Sequence, residues 1–288
     1  MKRIKMIEEL KNLINERRIK IFIINYLPLE KRRAYLQKKI KELDLENYVE
    51  WVIQKPEEYQ KEVSSYIPNK KKWEEMSQII DVEKFRELRK PDMNLTMNYL
   101  KVYNKIVNEK ISIALIFEDD VIMEKDFLKR LTKTIKVLPK KFDVAYTDAG
   151  IHFRFGKKIN KLRFYEYDGP STRTTASHFI SLSGAKKMKD LLGFIMPIDI
   201  EMRYYEKTHG LKVYWLKGYL TYQGSVFGDI YPTTLQVKKK SGGLIQNIIS
   251  NVEKRRFKKD LISQINIFLV DYLVIKPYRT IRIFLKKY

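Results

Sequence analysis

The chain has 288 residues, with 58 Lys plus Arg against 35 Asp plus Glu and a formal net charge of +23. At 44% hydrophobic it can bury a core, which excludes wholesale disorder, and its charge points to anionic partners: nucleic acid, an anionic membrane surface or a phosphorylated substrate. Cysteine is absent, so disulfides, zinc–thiolate sites and cysteine nucleophiles are excluded.

In chain order, Ile4, Ile7, Leu10 and Ile14 fall at roughly helical spacing among charges, which predicts a short amphipathic helix over residues 4–15. No apolar stretch of about 7–15 residues marks a signal peptide there. The β-branched and aromatic run "IFII" (21–24), closed by Asn25 and Pro28, predicts a buried first strand. "EKRRAYLQKKIKELD" reads as a helix with Leu36 and Ile40 on one face, and "YVEWVI" (48–53) as the second strand. Residues 55–90 hold Pro56, Pro68 and charge runs without a clean period; they read as surface helices and loops, a candidate insertion. A helix over about 94–109 places Leu95, Tyr99, Val102 and Ile106 on one face. The strand "ISIALIFED" follows, then the helix "DFLKRLTKTIKVLP" and the strand "FDVAYTD", which ends in Asp148. Strands alternate with helices, the pattern of an α/β layer with a mixed, mostly parallel sheet flanked by helices.

Beyond residue 150 the texture changes. "HFRFGKKINKLRFYEYDG" reads as strand pieces and turns. "TTASHFISLSGAKKMKDLL" reads as a strand, a turn at Ser183 and Gly184, and a helix. "IMPIDIEMRYYEKTHG" reads as a loop and a helix ended by Gly210. "LKVYWLKGYLTYQG" is a late strand, and Gly224 beyond it permits either close backbone approach to a ligand or a simple turn. From 238 to 288 there are 13 Lys or Arg and 3 acids, a balance of +10. Ile245, Ile248, Ile249 and Val252 share a helical face there, beside "EKRRFKK". This segment fits a helix lying in an anionic membrane interface or an ordinary terminal helix packed on the domain. The expected division is a domain over 1–237 and a basic amphipathic helical tail over 238–288. No apolar run reaches the roughly 18 residues of a membrane span, so the expected location is cytoplasmic, peripheral at the inner face of the cytoplasmic membrane.

The most informative stretch is "ALIFEDDV" (114–121), where an apolar run meets Glu118, Asp119 and Asp120. Adjacent carboxylates repel, and a strand end removes part of their hydration, so a divalent cation or a basic partner has to offset the cost. Ligands of open α/β sheets sit outside the carboxyl ends of the strands. Alternation in an extended segment sends Glu118 and Asp120 one way and Asp119 the other. An acid–x–acid pair suits Mg²⁺ or Mn²⁺, hard cations that share oxygen ligands with a diphosphate. Arg32 and Arg33 suit diphosphate contact because a guanidinium engages two oxygens at once; a solvated helix start is the other reading. Asp199, after Pro197, is a candidate general base or a helix N-cap, with Glu201 as the alternative base. His178 lies in a small-residue strand where it could line a sugar pocket, and Asp148 could hold a sugar hydroxyl. His152 and His209 add no zinc spacing. Neither a P-loop nor a G-x-G-x-x-G fingerprint occurs.

Several of these segments together resemble glycosyltransferase family 25, the bacterial lipooligosaccharide galactosyltransferases and their procollagen relatives. "IFIINYLPLEKRRAYLQ" is similar to that family's opening strand, Asn and Arg pair. "ALIFEDDVIM" is similar to its acidic motif, "TTASHFISLSGAKKMKDLL" to its Ser-x-x-Gly-Ala stretch, and "IMPIDIEM" to its Pro-x-Asp segment. The resemblance implies a GT-A fold, a UDP-sugar donor (usually UDP-galactose) and inversion at the anomeric carbon. It implies that Asn25 and Arg33 face the nucleotide, that Glu118 and Asp120 serve Mn²⁺ or Mg²⁺ and the diphosphate, and that Asp199 is the base; Arg32 and Asp119 are further candidates for the nucleotide. The family's Ser-His pattern before the acidic strand is missing; Asn98 and Tyr99 stand in its place. The expectation is a hexosyltransferase acting on a saccharide or lipid-linked acceptor. The rivals are a metal-dependent phosphotransferase or nuclease, which also uses clustered acids, and a non-enzymatic nucleic-acid-binding protein, which lacks any recognisable motif here.

Overall fold

The β-branched run near the N-terminus forms β1 (Ile19–Tyr26), which pairs in parallel with β2 (Val49–Gln54) on one side and β3 (Ile113–Glu118) on the other. Next to β3 lies β7 (Ser177–Ser181), antiparallel both to it and to β5 (Val144–Tyr146). The sheet continues through β8 (Val213–Leu216), parallel to β5, and ends at β6 (Phe164–Tyr165), antiparallel to β8. The order is therefore β2-β1-β3-β7-β5-β8-β6. Only β7 and β6 run against the other strands, so the sheet is mixed but mostly parallel in strand direction. A separate ribbon pairs β4 (Val121–Met123) with β9 (Thr221–Gln223) in antiparallel fashion.

This computed structural model describes residues 2–55, 69–80, 88–123, 126–148, 164–166, 175–216 and 219–227. All of them fall in one unit formed by residues 1–150 and 154–234. The segments expected at 151–163, His152 among them, and the basic tail at 238–288 lie outside the described residues.

Helices cover both faces of the sheet, and strand parity decides which core each side chain enters. Phe22, Ile24, Ala114 and Ile116 join the apolar faces of α3 (Lys70–Ile80), α4 (Lys90–Asn108), α6 (Leu182–Leu191) and α7 (Ile198–Thr208). Ile21, Ile23, Leu115 and Phe117 join those of α1 (Lys2–Arg17), α2 (Glu30–Glu42) and α5 (Phe127–Lys136). Within the stretch read as surface helices and loops, α3 buries Trp73, Met76 and Ile80 in the first of these cores, so this piece of 55–90 is part of the body of the fold. No helix among the described residues is long and apolar enough to cross a membrane.

Two helix ends show how local sequence signals resolve, and the start of α6 lies at the amino end of β3, away from Glu118. The strand β7 runs straight into α6 with no turn at Ser183 and Gly184. Ser181 is the N-cap, its hydroxyl accepting the Gly184 N–H at 3.0 Å, which satisfies one of the free amides of a helix start. Gly184 is required inside the helix because a Cβ there would lie 2.3 Å from the carbonyl oxygen of Asp143. At the other helix, His209 caps α7 and Gly210 follows with φ +60°, the left-handed residue expected of a helix end.

Candidate active site

The same parity that sorts the core places Glu118, and the turn after β3 places Asp119 and Asp120. Glu118 closes β3 opposite Ile24 of β1 and continues the Ala114–Ile116 face, toward α4. Its Oε1 accepts from the Tyr99 hydroxyl at 3.0 Å and from Thr175 Oγ1 at 2.5 Å, while Oε2 has Gln223 Nε2 at 3.4 Å. Asp120 sits in the turn that follows; its Oδ2 accepts from Ser225 Oγ, and its buried Oδ1 has no partner. The β9 ribbon brings Gln223 and Ser225 here, since the Gly224 N–H donates to the Asp120 carbonyl at 2.7 Å. Gly224 thus serves close approach to this chain's own backbone: its Cβ would lie 3.1 Å from that carbonyl oxygen.

Asp119 turns the opposite way. Its Oδ2 accepts from Asn25 Nδ2 at 2.8 Å and the Tyr26 N–H at 3.2 Å, and its Oδ1 forms an ion pair with Arg32 Nη1 at 2.9 Å. Arg33 donates to Asn25 Oδ1 at 3.0 Å and to the Leu27 carbonyl at 2.9 Å. Asn25, Arg32, Arg33 and Asp119, all expected at the nucleotide, form one network at the carboxyl end of β1. Within it Asp119 fastens the acidic turn to β1 and α2.

Burial raises the carboxyl pKa of both Glu118 and Asp120, and the negative charge of Asp120 raises Glu118 further. Two desolvated acids, one of them disfavoured further by the other's charge, are what a cation would relieve. Their donor set is hard oxygen, and Asp120 Oδ1 is left over, so the residues fit Mg²⁺ or Mn²⁺. Among the described residues no group of three His, Cys, Asp or Glu side chains could hold a metal. Diphosphate oxygens and water would complete the shell, the usual arrangement for such ions.

Of the remaining candidates, Asp148 and His178 share neighbours with this centre, whereas Asp199 and Glu201 belong to α7 and the loop before it. Asp148, 1% exposed, follows β5 and bridges to Thr221 of β9, which brings it to the ribbon that carries Gln223. Asp199 lies half-buried in the first turn of α7, whose N-cap is Pro197, so it is not the N-cap. Glu201 is wholly buried and accepts backbone N–H groups from Gly193 at 3.0 Å, Met196 at 2.9 Å and Ile195. It braces the loop in which Phe194 takes φ +55°, and those three amides occupy the oxygens a base would need. His178 is also wholly buried, stacked 5.7 Å from Tyr99 and tilted against Tyr146 at 5.7 Å; it lies behind Tyr99 in the core. Burial lowers its pKa to about 4.

Sequence reasoning passed over Tyr99, Thr175, Gln54 and Asn98 as site residues. Tyr99 and Thr175 hold Glu118. Asn98 Nδ2 donates to Gln54 Oε1 at 3.0 Å, joining α4 to the carboxyl end of β2. The signal available was the departure at Asn98 and Tyr99: two polar-tipped residues on the buried face of a helix just before the acidic strand.

A mixed, mostly parallel α/β sheet between helical layers, with buried carboxylates at the carboxyl end of a central strand, is consistent with a GT-A-like fold. A family model for glycosyltransferase family 25 (LPS biosynthesis protein) matches residues 18–202, and the chain belongs to that family. It is an enzyme that transfers a sugar in lipopolysaccharide biosynthesis, from a nucleotide-sugar donor to a saccharide acceptor. No curated protein matches. Among solved structures, "Crystal Structure of A197 from STIV" is similar over 70% of this chain and 82% of that one, with 14% identity and a TM-score of 0.32, too distant to bear on the site.

Proposed function

We propose that this glycosyltransferase moves a hexose, galactose in the first instance, from a UDP-sugar to a cell-surface glycan or lipid-linked saccharide, with inversion and with a divalent cation at Glu118 and Asp120. The observation that carries the reading is the acidic pair itself: two buried carboxylates facing one segment, one oxygen unpartnered, in a chain with net charge +23. A cation there would act as a Lewis acid on the leaving diphosphate. Inversion needs a carboxylate to take the acceptor hydroxyl's proton as the new glycosidic bond forms. Asp199 is assigned that task, because Glu201 is engaged by backbone amides. The basic tail is assigned to the anionic inner face of the cytoplasmic membrane, where a lipid-linked acceptor would be met.

The test is a thermal-shift screen of UDP-, GDP- and CMP-sugars with and without Mn²⁺, followed by a transfer assay with the donor that binds. A ligand at about 100 times its Kd stabilises by about 2.7 kcal/mol. UDP-galactose with Mn²⁺ is expected to give the largest shift. A shift with GDP- or CMP-sugars alone, or one indifferent to Mn²⁺, would overturn the donor or the metal assignment respectively.

A further inference from the structure

We infer that Tyr99, Thr175 and Ser225 are positioning residues for the acidic pair, each fixing one carboxylate oxygen so that Glu118 Oε2 and Asp120 Oδ1 are the two oxygens offered to a divalent cation. The inference rests on the reading of that pair as a cation site. Each carboxylate is divided in the same way. Glu118 Oε1 is taken by two hydroxyls, Tyr99 at 3.0 Å and Thr175 at 2.5 Å. Oε2 has a long 3.4 Å contact from Gln223. Asp120 Oδ2 is taken by Ser225, and Oδ1 has nothing. An unpaired buried carboxylate oxygen is costly, and here Asp120 Oδ1 is unpaired while Glu118 Oε2 is held by the long Gln223 contact.

The three hydroxyls come from separate parts of the chain: α4, the residue two before β7, and the short helix α8 (Gly224–Phe227). Tyr99 cannot swing away, because its ring is wholly buried between Tyr103 at 5.8 Å and His178 at 5.7 Å. Its single hydroxyl proton is shared between Glu118 Oε1 and the Thr175 carbonyl, 2.8 Å away. Groups that orient a ligating carboxylate from behind narrow its rotamers before the metal arrives, and their loss typically weakens metal affinity 10–100-fold. The aromatic stack behind Tyr99 thus serves the acids by holding one hydroxyl in place.

The probe is Mn²⁺ with UDP, titrated into the full chain and followed by electron paramagnetic resonance of free Mn²⁺. Tyr99→Phe, Thr175→Val and Ser225→Ala are each expected to raise the Mn²⁺ Kd by about tenfold or more, while Thr175→Ser, which keeps the hydroxyl, stays within about twofold of the parent. Excess Mn²⁺ should restore sugar transfer in all three, an effect that simple structural damage would not show. Parent-like Mn²⁺ binding in Tyr99→Phe and Ser225→Ala would overturn the inference and leave the cation site standing. Absence of Mn²⁺ binding in the parent would instead overturn the cation site, and the inference with it. Should Tyr99→Phe fail to fold, Ser225→Ala, at the half-buried edge, decides the matter alone.

Discussion

Three neighbouring acids are pulled to three sets of partners, and each partner lies far away in sequence: Arg32 for Asp119, Tyr99 and Thr175 for Glu118, Ser225 for Asp120. The opposed directions of Asp119 and Asp120 agree with the alternation expected at 118–120, although β3 ends at Glu118 and the two aspartates lie in the turn after it. The partners were not legible in the sequence, because an ion pair spanning 87 residues leaves no trace in local spacing. His178 shows the same limit: its small-residue neighbours suggested a pocket, whereas packing between Tyr99 and Tyr146 makes it a core group. That burial has a measurable consequence. The folded-state pKa of His178 is lowered to about 4 from an ordinary 6.5, so between these values the unfolded chain binds the extra proton. Stability from this group is complete above about pH 6.5 and is lost as pH falls toward 4, by about 2 kcal/mol at pH 5. His178→Phe keeps an aromatic ring but cannot titrate. Its unfolding free energy should fall less between pH 7 and pH 5 than that of the parent, by about that amount; parallel pH profiles would show that His178 does not behave as a buried neutral imidazole.

At the scale of elements, periodicity and end signals predicted α1, α2, α4, α5 and α7 at nearly their observed positions, because each carries an apolar stripe and most of its stability comes from burying it. The start of α6 was misread for an instructive reason. Ser and Gly together look like a turn, but here Ser181 is a cap and Gly184 an interior position, forced to be small by the Asp143 carbonyl. Asp143 also accepts from Ser183 at 3.1 Å, from Lys187 at 2.7 Å and from the Lys212 N–H at 2.9 Å, so it ties α6 to β5 and β8. An exposed helical glycine changed to alanine usually gains about 1 kcal/mol. At position 184 the sign should reverse. Gly184→Ala is expected to cost about 1–3 kcal/mol, the range for forcing atoms into a packed interior, read as a lower urea midpoint with unchanged slope. A midpoint equal to the parent's or higher would mean that α6 can move off Asp143 freely.

For the whole molecule, alternating strands and helices gave the layer class but not the order of strands. Placing β7 backwards between β3 and β5 depends on pairings between distant segments, and that reversed strand is what sets Thr175 beside Glu118. Net charge, by contrast, is legible without any fold. Of the +23 total, +10 lies in residues 238–288, where basic side chains flank large apolar ones. Each Lys or Arg near an anionic surface contributes about 1 kcal/mol, screened by salt, so a tail that docks on lipid should do so cooperatively and lose its grip as ionic strength rises. Changing Lys254, Arg255, Arg256, Lys258 and Lys259 together to Gln in the full chain removes five charges without shortening it. Cosedimentation with vesicles of anionic lipid should weaken at least tenfold, and 0.5 M salt, roughly a 4–5 Å screening length, should weaken the parent similarly. Sugar transfer to a soluble acceptor should be unchanged, since the altered residues are not assigned to the acidic pair. If the variant sediments with anionic vesicles as the parent does, the tail's charges do not carry membrane association.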